Sequence, residues 1–600
     1  MLRRALTRKH LLLTSAGTLS AGTGLYLYTA RNDRLLRPGE PTTATLLRTW
    51  VVFSMCSIPA LVDHSPRILE VLGKVPVVSK VAEMVVRRTF FDQFVGGDTA
   101  HETLPVLRAL RSANTGALFA YSVEVDEHEA HGDLADGVSK TDVSQRIVNE
   151  MIRCIDVADE FETGEVEGGG QKKTWVAVKI TALLPNAASL INLSKHLLAT
   201  RPTPSPPVPF PGLPDPSDLD VLTTSPYGNT FLTSDDITAL KRLYGDLDRI
   251  CEHAERKGVK VIIDAEYSWY QPALDALTFA LMRKYNAIKE DEAKPGVTQP
   301  LIYATYQAYL RRTLPLLHHT LLHSQTHHYS LGIKLVRGAY HPTELSSHHR
   351  PLPPSPLIAN PKSITIEVPP TEDIPDVHEE GPSISPDPEP PVWGEKGETD
   401  ACYDACARVL VEAVARDSAR VGGVDKHPAE GADRDGVGVG AMVGGEGEGK
   451  GGRKGQPGVG VLFGTHNWNS SNLILEEAVK HGMAHYVREE PGTGTGQGEL
   501  ATKAGEEVVQ LSEALTERVT VAQLYGMGDA LSEYMTRRTR SGAPFVIRYV
   551  PYGALSEVMP YLGRRAIENK GMLGDGGASE ERRRAGREVR RRMRMWGGEP

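Results

Sequence analysis

The fold is decided near the end of this 600-residue chain, by Tyr549-Val-Pro-Tyr-Gly-Ala-Leu-Ser-Glu-Val-Met-Pro-Tyr-Leu-Gly-Arg-Arg-Ala-Ile-Glu-Asn569. The short apolar run Phe545–Tyr549 at its start is typical of a buried strand. A Pro-x-Gly turn and Ser556 as the N-cap then predict the start of a helix. Four side chains at i, i+3, i+4 and i+7 share one face of that helix: Tyr561, Arg564, Arg565 and Glu568.

The two adjacent arginines on this face admit two interpretations. Their guanidinium groups form planar forks that suit a carboxylate. An ordinary amphipathic helix would also expose arginines to solvent, so this segment alone leaves a functional and a structural role equally open. The rest of the chain decides between them.

Seven further apolar runs precede this strand, and each is followed by helix-like sequence. Regular alternation of apolar strands with helices indicates a parallel sheet covered by helices, and eight units favour closure into a barrel. The predicted fold is therefore α/β, a distorted (βα)8 TIM-like barrel with a helical N-terminal region and low-complexity inserts. The eight runs are residues 115–125, 174–181, 259–264, 300–305, 330–336, 459–465, 519–524 and 544–549.

The sequence outside these runs predicts a leader, a helical region, inserts and a tail. The first 32 residues contain no Asp or Glu, which predicts a mitochondrial presequence, although the uncharged run 11–28 leaves a retained membrane anchor open. The Arg-rich tail is expected to be disordered, with membrane contact as a second interpretation. The boundaries are 1–38 for the leader, 45–112 for the helical region, 113–573 for the barrel, 574–600 for the tail, and about 201–220, 342–398 and 420–460 for disordered inserts.

Polar side chains stand at the ends of most predicted strands. The carboxyl ends of barrel strands meet on one face, where the active sites of such barrels are built. Buried strands exclude unpaired polar groups, so this arrangement is hard to explain by chance. The residues are Glu124, Lys179, Asp264 with Glu266, Thr305 with Gln307, Arg337, His466 with Asn467, Gln523 with Tyr525, and Tyr549.

Composition argues against several other classes of protein. A net charge of −9 is mild for this length and disfavours a general nucleic-acid binder. Five scattered cysteines do not form a disulfide framework and predict reduced thiols. The spacing of His319, His323 and His327 could suit a metal, but no nearby carboxylate completes a site, so we expect none. The glycine pattern Gly447–Gly452 lacks the strand and helix of a dinucleotide site.

Four strings, taken in order, resemble the proline dehydrogenase (proline oxidase) family: Ile333–Tyr340, Phe463–Asn467, Leu524–Asp529 and Tyr561–Asn569. With Val178–Lys179 and Ile263–Glu266, the resemblance extends over most of the chain from about residue 90 to 573. It implies a barrel that holds FAD against the carboxyl ends of its strands. It also implies oxidation of L-proline to 1-pyrroline-5-carboxylate, with ubiquinone as electron acceptor at the matrix side of the inner mitochondrial membrane.

The resemblance also implies roles for individual residues. Arg564 and Arg565 hold the proline carboxylate, Lys179 adds a nearby cation, and Asp264 orients the cluster. Around the pyrrolidine ring the resemblance places Tyr340, Tyr549 and Tyr561, while Glu568 fixes an arginine or touches the flavin side. The expected FAD contacts are Gln307, Lys334, Val336, Arg337, Gly338, Ala339, Thr465, His466 and Asn467.

Three alternative functions stay open. A hydroxyproline dehydrogenase is one, although the ring of Tyr549 would crowd a 4-hydroxyl group and so favours L-proline. A Schiff-base aldolase on a barrel could use Lys179 or Lys334. A non-catalytic protein could bind a membrane or nucleic acid through its Arg-rich tail.

Overall fold

The structure is a computed structural model, which describes residues 41–74, 76–122, 140–165, 172–223, 231–288, 297–348, 383–421, 456–488, 507–571 and 577–596. At its centre, eight parallel strands close into a barrel in the order β1-β8-β7-β6-β5-β4-β3-β2. The strands are β1 Thr115–Tyr121, β2 Thr174–Val178, β3 Val261–Ile263, β4 Ile302–Gln307, β5 Leu331–Val336, β6 Val459–Gly464, β7 Val519–Leu524 and β8 Val546–Tyr552. The predicted eight-stranded barrel is confirmed.

Helices surround this barrel, and most of the described strands are followed by one. They are α1 Thr43–Cys56, α2 Pro59–Asp63, α3 Ser65–Gly73, α4 Pro76–Val86, α5 Asp92–Phe94, α6 Leu104–Ser112, α7 Lys140–Glu165, α8 Ala188–Thr200, α9 Ser234–Lys257, α10 Gln271–Tyr285, α11 Thr313–Thr326, α12 His341–Ser347, α13 Lys396–Val421, α14 Trp468–Lys480, α15 Glu513–Arg518, α16 Asp529–Arg538, α17 Met559–Gly571 and α18 Gly577–Trp596. Short two- and three-stranded sheets lie outside the barrel. No helix in the described part of the chain has both the length and the apolar character needed to cross a membrane.

The junction between β8 and α17 differs from the prediction. The strand continues past Tyr549 because Pro551 lies in register with Ala120 of β1, and the Pro551 carbonyl accepts a hydrogen bond from the Gly96 N–H at 2.8 Å. Ser556 is not the N-cap of the helix, since residues 554–557 form a turn and α17 begins at Met559. The proline therefore does not end the strand, and the turn begins later.

The N-terminal helices pack against α17 in an apolar cluster of their own. Its members include Val52 and Cys56 of α1, Phe94 of α5, and Tyr561 and Leu562 of α17. A polar contact adds to this packing, because the side-chain amide of Gln93 donates to the carbonyl of Gly526 at 2.9 Å. The helix that carries the paired arginines is thus held from outside by the N-terminal region.

The expectation that the Arg-rich tail is disordered was wrong for residues 577–596. They form α18, which packs along α1, and Nη1 of Arg592 donates to the carbonyl of Pro41 at 2.8 Å. Arg584 forms an ion pair with Glu533 of α16, and Glu588 forms ion pairs with Arg591 and Arg592. These carboxylates compensate part of the positive charge of the tail, which is why the helix can pack.

The first predicted insert was also wrong, since residues 201–220 are described and packed. Arg201 and Asp218 form a buried ion pair at 2.6 Å, and Phe210 is buried. A proline-rich composition excludes a helix here but not an ordered irregular segment.

The ordered part of the second insert packs against the barrel rim. The Arg311 N–H donates to the carbonyl of Pro391 at 2.9 Å, and Val392 joins a small apolar cluster with Tyr309, against which Leu345 of α12 packs. Residues 396–398 already belong to α13, and residues 456–460 of the third insert are also ordered. Residues 1–40, most of the second and third inserts, Glu124 and the Gly447–Gly452 pattern lie outside the described residues.

We expect Gly332→Ala to lower the free energy of unfolding by about 1–3 kcal/mol, because its new Cβ would lie 2.7 Å from the ring of Tyr303 in the barrel interior. The control Gly245→Ala lies within α9 with no atom close to the added methyl group, and should raise stability by about 0.5–1 kcal/mol. Urea unfolding followed by circular dichroism measures both changes. A similar effect of the two substitutions would contradict the tight packing at Gly332.

Candidate active site

A buried ion pair lies at the carboxyl ends of the barrel strands. Nζ of Lys334, on β5, donates to Oδ1 of Asp264, directly after β3, at 2.5 Å. The other carboxylate oxygen accepts from the hydroxyl of Tyr549, on β8, at 3.1 Å, and the ammonium of Lys334 lies 5.1 Å from the centre of the Tyr549 ring. Burial and the nearby Asp264 charge raise the pKa of Tyr549 well above its ordinary value, so this hydroxyl stays neutral and donates.

A second carboxylate lies beside the first. Glu266 is buried and accepts hydrogen bonds from the backbone N–H and the hydroxyl of Thr181, which follows β2. Burial raises the pKa of Glu266, while the charge of Lys179 opposes that rise. Lys179 therefore belongs to the same face as Asp264, as its place at the end of β2 predicted.

The helix α17 places its four predicted residues in two groups. Nη1 of Arg565 contacts Oε2 of Glu568 at 2.6 Å, and the Arg565 guanidinium lies 4.8 Å from the centre of the Tyr561 ring. The Arg564 guanidinium instead lies over the ring of Tyr340, at 5.2 Å. One arginine is buried and held by its own helix, and the other reaches across to the loop after β5.

These groups come together over one end of the barrel. The hydroxyl of Tyr561 raises the pKa of Tyr549 and the charge of Arg564 lowers it. Both effects need short distances, so α17 lies close to the Asp264–Lys334 pair. The ring of Tyr340 packs against that of Tyr267, with ring centres 4.3 Å apart and the planes tilted by 38°. The arrangement combines fixed cations, a carboxylate and aromatic walls, which suits a small molecule that carries a negative group and an apolar ring.

Arg337 lies on the adjoining part of the same face and is held on several sides. Its Nε donates to Asp400 at 2.6 Å, its Nη1 donates to Oγ1 of Thr465 at 2.7 Å, and its Nη2 donates to Oγ of Ser470 at 2.9 Å. The ring of Tyr403 lies 4.3 Å from the guanidinium carbon. Among the described residues, these bonds use three of its five N–H donors, which leaves two for another acceptor.

His466 and Gln307 each keep one buried polar atom without a hydrogen-bond partner among the described residues, Nδ1 and Oε1 respectively. Burial and the charges of Arg548, Arg565 and Arg337 lower the pKa of His466 to about 3. Its Nε2 accepts from the Leu524 N–H at 3.3 Å, so the proton of the neutral ring lies on Nδ1. The ring lines a small cleft together with Gly528.

The remaining predicted cofactor residues shape the backbone here. Val336 ends β5, and Ala339 follows two residues after Arg337. Gly338 has φ of 124°, and a Cβ there would lie 2.5 Å from the ring of Tyr309. Asn467 caps α14, where its side chain accepts from two backbone N–H groups.

Sequence reasoning missed the residues that hold Arg337. Asp400, Tyr403 and Asp404 lie on α13, after an insert that was expected to be disordered, and Asp404 accepts from the hydroxyl of Ser470 at 2.6 Å. Their i, i+3, i+4 spacing on one helix face was the available signal. The three spaced histidines, by contrast, lie at the end of α11, and no group of His, Cys, Asp or Glu in the described part of the chain could hold a metal.

Comparison with known proteins gives a consistent result. A family model described as proline dehydrogenase matches residues 129–363 and 500–575, more than half of the chain. "Proline dehydrogenase 1, mitochondrial" of Arabidopsis thaliana is 26% identical over 562 residues, 92% of this chain and 84% of that protein. "Hydroxyproline dehydrogenase" of Xenopus laevis is 29% identical over 294 residues, 49% of this chain and 55% of that protein.

A solved structure of proline utilization A from Bdellovibrio bacteriovorus aligns with a TM-score of 0.47 at 16% identity. The alignment covers 88% of this chain but 37% of that protein, so this chain spans little more than a third of its length.

We expect Asp264→Asn to lower the free energy of unfolding by about 3–5 kcal/mol, because the buried ammonium of Lys334 loses its counter-charge. The control Glu412→Gln breaks an ion pair with Arg416 on the surface of α13 and should change stability by less than about 1 kcal/mol. Urea unfolding of the purified proteins measures both. Equal losses in the two variants would rule out the special cost of the buried pair.

Proposed function

The chain belongs to the proline dehydrogenase family, and from that premise we propose how its residues carry out the family's reaction. The reaction is the oxidation of L-proline to 1-pyrroline-5-carboxylate, the first step of proline catabolism. The observation that carries the proposal is the position of Arg564 and Arg565 on α17, above the Asp264–Lys334 pair. These are cations on one side of a small site, where the carboxylate of an imino acid needs them.

We propose that FAD, the cofactor of this family, binds along the ends of β4, β5 and β6. The residues present fit such a group: Arg337 keeps two N–H donors, His466 keeps its Nδ1–H, and Gln307 keeps an acceptor oxygen. Donors suit the anionic phosphates and carbonyl groups of a flavin dinucleotide, and Gly338, which packs against the ring of Tyr309, would contribute backbone only. When bound, FAD supplies the two-electron acceptor that no protein side chain provides. Val336, Ala339, Thr465 and Asn467 would contact it through backbone and short side chains.

The chain's own part in the reaction is to bind and orient proline. Arg565 is fixed by Glu568 before substrate arrives, so little conformational freedom is lost when it meets the carboxylate. Arg564 is placed over the ring of Tyr340 and would complete the fork. Two anchored contacts to one carboxylate leave the pyrrolidine ring a single orientation.

The aromatic side chains would exclude water from that ring. Tyr561 is buried, Tyr549 is fixed by its hydrogen bond to Asp264, and Tyr340 packs against the ring of Tyr267. Lys179 would add positive charge near the carboxylate. The amine nitrogen must lose its proton before or during oxidation, and no side chain is assigned to accept it.

The ion pair with Asp264 argues against the aldolase alternative at Lys334. A Schiff base needs an amine that is free to attack a carbonyl carbon, whereas the Lys334 nitrogen is held by the Asp264 carboxylate at 2.5 Å. Hydroxyproline remains the related substrate to exclude. The Tyr549 ring forms part of the wall, and its crowding of a 4-hydroxyl group favours L-proline.

We place the protein in the mitochondrion, on the matrix side of the inner membrane, with ubiquinone as electron acceptor. The composition of residues 1–38 supports a mitochondrial presequence. A membrane-bound quinone would require the enzyme to work at a membrane surface.

An absorbance spectrum of the purified protein, before and after anaerobic addition of L-proline, tests this function. We expect a bound flavin whose visible absorbance is bleached by proline and much less by 4-hydroxyproline. A protein that stays colourless after incubation with FAD, or a flavin that proline leaves oxidised, would overturn the proposal. Borohydride-dependent labelling of a lysine by a carbonyl substrate would support the aldolase instead.

We expect Arg564→Ala and Arg565→Ala each to lower kcat/KM for proline by roughly 30- to 1000-fold, mainly through KM. The basis is the loss of a charged contact to a carboxylate, about 2–4 kcal/mol. Steady-state kinetics with a soluble dye acceptor measures the change, and the flavin content should stay near that of the parent protein. Arg242→Ala, on the exposed face of α9, is the control and should leave both constants unchanged. Parental kinetics in both α17 variants would contradict the carboxylate fork.

A further inference from the structure

Exposed apolar side chains are concentrated in one region of the molecule. Of the 16 exposed large apolar side chains in the described residues, nine lie between Leu47 and Val85, in α1 to α4 and their connections. Val71 and Met84 are each 62% exposed. An isolated exposed apolar residue is ordinary, but this many in one segment marks a surface that binds something.

The helices α3 and α4 carry these side chains in regular stripes. Val78, Val81 and Val85 are spaced at i, i+3 and i+7, and so lie on one solvent-facing side of α4. Ile68 and Val71 make the same i, i+3 step on α3, which packs beside α4. An apolar stripe normally faces a core, whereas this one faces solvent.

A row of arginines runs along α18. Arg583, Arg587 and Arg590 are exposed and spaced at i, i+4 and i+7, which aligns them on one side of the helix. The acids of the helix do not balance them: Glu588 is ion-paired with Arg591 and Arg592, Glu581 accepts from the Ala530 N–H, and exposed Glu580 is a single charge beside three arginines. The row therefore presents net positive charge.

The apolar stripes and the arginine row are joined by packed helices. The helix α18 packs along α1, where the half-exposed Trp50 indole lies against Gly586. In turn α1 packs on α2, and α2 contacts both α3 and α17. The helices α17 and α18 of this group also carry exposed apolar side chains, Ile567 and Met593 respectively. We call the exposed side chains of α1, α3, α4 and α18 the apolar–basic face.

We propose that the apolar–basic face docks on the surface of a membrane that contains anionic phospholipid. Apolar side chains next to an arginine row and a tryptophan fit the acyl boundary, the phosphate groups and the interface between them. Exposed Arg67 and Lys80 add positive charge around the apolar stripes, while exposed Glu83 offsets part of it and Arg88 pairs with Asp92. Pro41, the first described residue, also lies at this face, where its carbonyl accepts from Arg592.

This inference rests on the proposed function, since it gives the enzyme a surface from which a lipid-soluble quinone can be used. The helix α17 forms part of the layer behind the face, in contact with α1 and α2. The substrate helix therefore lies directly behind the proposed membrane contact. A quinone leaving the bilayer would have a short path to the site.

The test is co-sedimentation of the full-length protein with vesicles of phosphatidylcholine, alone or mixed with an anionic phospholipid. We expect binding to the anionic vesicles that weakens as salt is raised. The apolar variant Val71→Asn/Met84→Gln should bind about tenfold more weakly. Its matched control is Leu322→Asn/Val487→Asn, two exposed apolar positions elsewhere on the molecule, which should bind like the parent.

The charge variant is Arg587→Gln/Arg590→Gln, and its control is Lys241→Gln/Arg242→Gln on the exposed side of α9. We expect the first to bind anionic vesicles roughly 30-fold more weakly, because it loses two charges at about 1 kcal/mol each, and the second to lose little. Proline-dependent reduction of a soluble dye should be parental in all four variants.

Three outcomes would overturn the docking face. The first is that the parent protein does not bind the vesicles, and the second is that both face variants bind like the parent. The third is a parent dimer that the face variants convert to monomer in sedimentation equilibrium. The last result would assign the face to a second copy of the chain. Failure of the proposed function appears separately, as absent dye reduction with proline, and does not depend on the vesicles.

Discussion

Closure of β1 onto β8 is the constraint on which the rest of the structure depends. The two strands pair in parallel from Thr115 with Val546 to Tyr121 with Tyr552, so the first and last strands of the barrel are neighbours. An open sheet would leave β8 at a far edge, and α17 would start away from β2 and β3. Closure instead brings the arginines of α17 over groups that precede them by about half the chain. The interaction between Tyr549 and Asp264 is the direct result.

Much of this arrangement could be predicted because a parallel strand that is buried on both sides requires a nearly continuous run of apolar residues. Each strand is a run of apolar residues, and the polar residue that follows it marks the functional face. The ends of the strands were predicted less accurately. The strand β3 covers only Val261–Ile263 of the predicted run 259–264, and β8 continues through Pro551. A pattern of apolar residues reports burial, while a strand ends where its hydrogen-bonded neighbour ends.

The candidate site was predicted in its residues more than in their contacts. The strings that resemble the proline dehydrogenase family named Lys334 as a cofactor contact, and the structure places its ammonium on the carboxylate of Asp264. Which carboxylate a buried lysine meets depends on three strands at once, and local spacing carries no such information. The same reason hid Asp400 and Tyr403, which reach Arg337 from a helix that begins 59 residues later.

The tail was misjudged because composition was taken as a property of the segment alone. Eight arginines between Arg582 and Arg594 cannot fold by themselves, but α1 offers a face, and Glu533 and Glu588 offer charge. The partner that makes such a helix stable lies at the other end of the chain. A prediction made from the tail sequence alone cannot include that partner, because only the fold brings the two ends of the chain together.

The packing of Leu345 and Val392 in one apolar cluster has a consequence for how this chain can change over time. Both side chains pack at one spot on the barrel rim, on either side of residues 349–382. The polypeptide thus leaves the barrel and rejoins it at a single point. The position at which α13 begins is therefore fixed. Lengthening or shortening the intervening stretch would alter closure entropy only slowly, as the logarithm of its length. The length of this stretch can therefore change in evolution at little cost in stability, while the contacts that hold Arg337 are kept.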